Sequence, residues 1–170
     1  MLAALVALLL LNPGGDVIDR IMAVVGTQPI TLSEVAAAKQ LNLVPVPAET
    51  KDATGYVLER MIDRSLMLTE VERFQPPEPD AVEITVQMDR LQARFGSEAS
   101  FAQALAETGT TREHLQRFFR DSLRMQIYIN QRFGTILDPV EREESIGAWV
   151  SQLRRRAEIT VLYRPAAPTP

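Results

Sequence analysis

The side chains that could perform covalent or metal chemistry are few and scattered. His114 is the sole histidine in 170 residues. It follows Glu113 at a polar helix start, a setting that suits a solvated surface residue. A catalytic triad or a histidine-based metal site needs more partners than this. There is no cysteine, so thiolate catalysis, disulfides and cysteine-ligated metals are excluded. Glu141, Glu143 and Glu144 cluster where a helix should begin, and negative charge there answers the helix dipole. Arg154, Arg155 and Arg156 fill the last turn of the same helix, where cations offset the dipole at its other end. The phosphate-cradling and zinc-binding patterns GxGxxG, Walker loop and HExxH do not occur. The residues therefore point away from an enzyme. They assign no catalytic, cofactor-binding or metal-binding role, and no cofactor is expected.

Composition narrows the classes further. Hydrophobic residues make up 46% of the chain, enough to build a core. The net charge is −4, and no sequence-wide basic field is present to attract nucleic acid. The first eleven residues, MLAALVALLLL, are apolar throughout. A spanning helix needs about 20 such residues, whereas this length suits the apolar region of a secretory signal. Asn12-Pro13-Gly14-Gly15 breaks any helix after it. A basic stretch before the run and a clean A-x-A cleavage site are both missing. Residues 1–15 are read as a signal-peptide-like leader of an exported, periplasmic protein, cleaved near residue 15 or kept as an anchor. A buried N-terminal helix is the alternative.

The elements that would position a functional surface are mostly helical. Residues Ile21 to Val25 are β-branched enough for a short strand, and Gly26 to Pro29 reads as a turn. Thr31-Leu32-Ser33-Glu34 is a capping-box pattern that opens a helix over 32–42. Apolar spacing and breakers predict further helices over 50–74, 80–95, 98–107, 111–133 and 139–156. Gly96, Gly109 and Gly134 end three of them. Thr110 to Glu113 and Asp138 to Glu141 repeat the capping pattern. Ile159, Val161 and Tyr163 alternate with Thr160 and Leu162, as in a strand. Two lone strands would each leave unpaired backbone groups, and pairing them with each other satisfies both. The expectation is a mainly α fold of about six helices with a small two-stranded sheet joining the chain ends. It spans 16–164, with a disordered tail over 165–170.

The helices over 50–74 and 111–133 carry more apolar surface than one bundle seam requires. They are either central helices covered on all sides or walls of a groove. Methionine and aromatic side chains adapt their shape and suit grooves that accept many sequences. By residue type and helix position, the candidate peptide-binding residues are Met61, Met88, Phe95, Phe118, Met125 and Tyr128. For each of these the core is the competing assignment.

The motifs, taken in order, resemble one family. VIDRIMAVVGTQPITLSEV resembles the mature N-terminus of SurA-type periplasmic chaperones. VLERMIDRSLMLTEVERF is similar to that family's next long helix. The stretch from Phe95 to Gly134 resembles its helical hairpin, and WVSQLRRRAEITVLY its closing helix and strand. The resemblance covers nearly all of residues 17–163. It implies a chaperone module with paired end strands and ATP-independent binding of unfolded outer-membrane proteins in the periplasm. It also implies a departure. Relatives carry parvulin prolyl-isomerase domains before the closing helix. Here only Thr135-Ile136-Leu137-Asp138-Pro139 separates Gly134 from that helix, and one histidine cannot supply the parvulin pair. Isomerase activity is not expected. The expected partners are unfolded polypeptides, outer-membrane proteins among them, with no nucleic acid and no small-molecule substrate. Rival readings are a dedicated interaction or assembly module of the cell envelope, and a form that works only as a homodimer or beside a separate isomerase.

Overall fold

A computed structural model describes residues 19–165. The expected leader over 1–15 lies outside the described residues, as does the expected tail after its first residue. Among the described residues the order is β1 (Ile21–Val25), β2 (Gln28–Thr31), α1 (Leu32–Gln40), α2 (Ala53–Phe74), α3 (Ala81–Ala93), α4 (Glu98–Thr108), α5 (Arg112–Phe133), α6 (Pro139–Arg156) and β3 (Ile159–Val161). The fold is mainly α, with six helices and a small antiparallel sheet.

Local chemistry sets the helix starts. Thr31 caps α1 in a full capping box: its backbone N–H donates to Glu34 Oε2 at 2.8 Å, and its hydroxyl accepts from the Glu34 N–H. Asp52, Asp80, Ser97, Thr111 and Asp138 cap the other five helices with side-chain oxygens. In α5 the cap is Thr111 and not Thr110, so the third helical residue is His114. Gly109 takes a left-handed φ of 63° to close α4.

The sheet has one more strand than the sequence suggests. Its order is β2-β1-β3, so β1 pairs with the closing strand β3, as expected, and also with β2. Gln28 and Pro29 belong to β2 and not to a turn. The turn is only Gly26 and Thr27, with Gly26 at φ 59°, the positive φ a two-residue hairpin needs at its first position. Pro29 is tolerated because β2 is an edge strand.

Apolar side chains gather in three clusters, of which the first and third include α2. The first joins Met22, Ala23 and Val25 of β1 to Val35 of α1 and to Val57, Leu58 and Ile62 of α2. The second joins Leu41 to Met88 and Leu91 of α3, Phe101 and Leu105 of α4, and Leu115 of α5. The third joins Val71 at the end of α2 to Met125, Tyr128 and Phe133 and to Trp149 of α6. So α2 serves the first cluster with its front half and the third with its end. It packs against the sheet, α1, α5 and α6.

Polar contacts fasten Tyr163 and α6 to α2. Tyr163 donates its hydroxyl to Asp52 Oδ1 at 3.0 Å, and Asp52 accepts from the Gly55 N–H at 2.9 Å. Asp63 is 7% exposed. It is held by Arg60 at 3.0 Å and by Arg154 of α6 at 2.5 Å. Arg154 also reaches Glu59 Oε2 at 2.8 Å.

A buried carboxylate that accepts charged hydrogen bonds stabilises far more than an exposed pair. Asp63→Ala is expected to cost about 2–3 kcal/mol in urea unfolding. Arg73→Ala, which breaks the exposed pair with Glu70, should cost no more than about 0.5 kcal/mol. Equal costs would contradict the role given to Asp63.

Candidate functional site

The middle of α2 presents Met61, Arg64, Ser65, Leu68 and Glu72 at helical spacing, so they share one face. That face does not close against a neighbour. It forms the floor of a groove of about 660 Å3, also lined by Ile30 of β2, Ala37 and Ala38 of α1, and His114, Arg117, Phe118 and Asp121 of α5. The volume falls within the range of ligand-binding clefts. Ala37 and Ala38 add little bulk on the α1 side of the groove. Leu43, after α1, and Leu115 add apolar wall.

Phe118 is anchored by its neighbours. The Arg64 guanidinium lies 4.0 Å from its ring centroid, a cation–π contact. Arg64 also donates to the Phe118 carbonyl oxygen and to Ser122 Oγ, each at 2.8 Å. On its other side Phe118 meets Phe119 edge-on, with ring centroids 5.7 Å apart. Burial lowers the Arg64 pKa to about 10, against the opposing charge of Asp121. Burial also pushes the Asp121 carboxyl above the ordinary aspartate value, while Arg64, Arg120 and Arg124 pull it back. The last two arginines are engaged elsewhere. Arg120 forks onto Glu78 at 2.8 and 3.1 Å, and Arg124 holds Glu72 at 2.7 Å.

The six residues singled out from sequence do not form one surface. Met61 and Phe118 line the groove, and Met61 also packs against the first cluster. Met88 is buried in the second cluster, with Phe95 packed against that cluster. Phe95 lies 5.4 Å from the Phe101 ring. Met125 and Tyr128 are buried in the third cluster, where Tyr128 sits between Phe74 and Trp149 at centroid distances of 5.3 and 5.7 Å. Sequence reasoning missed Arg64, Leu68 and Asp121. A signal for Arg64 was present: a charged residue inside a helix that is apolar nearly all round must find a partner or a cleft. Among the described residues, no three histidine, aspartate or glutamate side chains converge as a metal site. No described helix is long and apolar enough to cross a membrane.

A carboxyl whose folded pKa is raised gives stability that is present below the unfolded value and lost as pH rises through the folded value. Asp121 is such a group. Asp121→Asn removes that loss. Relative to the unmodified protein, the variant should gain more in urea midpoint at pH 7 than at pH 4. An equal difference at both pH values would contradict the burial of Asp121.

No protein-family model matches the chain, and no curated protein matches it.

Proposed function

We propose that this chain is an ATP-independent holdase that grips unfolded segments of exported polypeptides, outer-membrane proteins among them, without prolyl-isomerase activity. The observation that carries the reading is the open groove of about 660 Å3 floored by α2. Its accessible apolar lining comes from Leu43, Met61, Leu68 and Phe118, with buried Ile30 and Leu115 behind them. Such a lining can take up apolar side chains of many shapes, and the unbranched Met61 suits that breadth. The driving force is burial, at roughly 25 cal/mol per Å2 of apolar surface removed from water. Ordering of the client opposes it, so affinity is modest and specificity broad. The resemblance to SurA-type chaperones supports the same reading and supplies the periplasmic setting.

Light scattering of a denatured β-barrel membrane protein tests the proposal. Stoichiometric protein from residue 16 onward should suppress its aggregation, and that of unrelated denatured proteins. Met61→Gln with Leu68→Gln keeps side-chain volume but wets the floor of the groove. The pair should weaken client binding by about tenfold and lower the urea midpoint less than the same changes at the buried Ile62 and Leu66, since Met61 and Leu68 are half-buried at the edges of the first and third clusters. Loss of binding and of stability together would make the floor a core. Failure of the unmodified protein to suppress any aggregation would end the holdase reading. Binding to one dedicated protein alone would favour an assembly module.

A further inference from the structure

Two groups of opposite charge line the groove, and among the described residues neither forms a salt bridge within 4.0 Å, although each feels the other's charge at longer range. No carboxylate lies within 4.0 Å of Arg64 among the described residues. A guanidinium carries five N–H donors. Ser122 Oγ and the Phe118 carbonyl engage two of them, leaving three. Asp121 is half-buried, and no hydrogen bond or ion pair reaches its carboxylate among the described residues. The unpartnered Asp121 carboxylate oxygens and Arg64 Nε are not sealed in the interior but open to the groove, where a ligand can reach them and complete the pairing.

The charges around them select the ligand. A lone anion drawn by Arg64 would also face Glu34, Glu72 and Asp121. A lone cation drawn by Asp121 would face Arg64 and Arg117. The group that fits both is neutral and carries an acceptor and a donor together, which is the peptide unit. The strand at the groove wall offers no substitute. Pro29 has no N–H, and the Thr31 N–H is taken by Glu34. Alternate residues of a strand address the same edge, so the donors of β2 on that edge are absent or occupied. A client cannot dock there by ordinary strand addition.

We propose that Arg64 and Asp121 hold the main chain of an extended client, Arg64 donating to its carbonyl oxygens and Asp121 accepting from its N–H groups. This rests on the holdase reading and gives it a means of binding that is independent of client sequence. Apolar side chains then enter the pockets formed by Met61, Leu68 and Phe118.

The test uses a fluorescent, apolar-rich peptide and its ester analogue, in which alternate amide N–H groups are replaced by oxygen. Side chains and shape are kept, but donors are lost and the carbonyls weakened. The unmodified protein should bind the amide peptide about tenfold more tightly than the ester. Asp121→Ala should bind the amide peptide more weakly and shrink that preference to about twofold or less. Equal binding of both peptides by the unmodified protein would overturn the inference and leave the holdase reading standing. A preference undiminished in Asp121→Ala would remove Asp121 from it. Binding of neither peptide, with no suppression of aggregation, would overturn both. The comparison on unmodified protein needs no variant to fold.

Discussion

Helix α2 is enclosed by the sheet, α1, α5 and α6, and a helix so placed can carry charge only where the charge is answered. That constraint organises the molecule. Asp63 sits on the side facing α6, and Arg154 answers it across the interface. The next residue, Arg64, points the other way around the helix, towards α5. There it finds an aromatic face, a carbonyl and a hydroxyl, with the Asp121 carboxylate beyond salt-bridge distance. The two neighbours thus mark the difference between a sealed side of α2 and an open one. A buried pair at Asp63 joins two helices, while a cation at Arg64 stands at the wall of a groove.

The three apolar clusters explain why the groove stays open. Each is closed by large side chains from at least two elements, such as Phe101 with Leu115 in the second and Tyr128 with Trp149 in the third. Where α1 faces the middle of α2 it offers Ala37 and Ala38. Small residues there let the first cluster close beneath while leaving room above. Arg120 and Arg124, by pairing with Glu78 and Glu72, tie α5 to the end of α2 and to the proline-rich stretch that follows. That bracing fixes the far wall without filling the space between.

Much of the fold was legible because it is specified locally. The caps at Thr31, Ser97 and Asp138 and the closing Gly109 are short patterns with a direct backbone consequence. Pairing of β1 with β3 followed from the need to satisfy backbone groups. The strand at Gln28 was not legible, because a glutamine followed by proline reads as a turn until an edge position accommodates it. The groove was legible only in part. Helical period shows that Met88, Met125 and Tyr128 face inward, as Met61 does, but it cannot show what stands opposite. Met125 closes into a tryptophan-containing core; Met61 lies at the edge of the first cluster and borders a groove that Ala37 and Ala38 also line. Asp121 gave no signal at all, since a lone aspartate on a long helix looks like any solvated residue.

The most direct measurement is site-specific photo-crosslinking to a denatured β-barrel client. A photoreactive side chain at Leu68 reports on the groove, and one at Val82, which is 65% exposed on α3, reports on an open apolar surface elsewhere. The account predicts client adducts at residue 68 and few at residue 82. Adducts of equal yield at both positions, or at residue 82 alone, would contradict it.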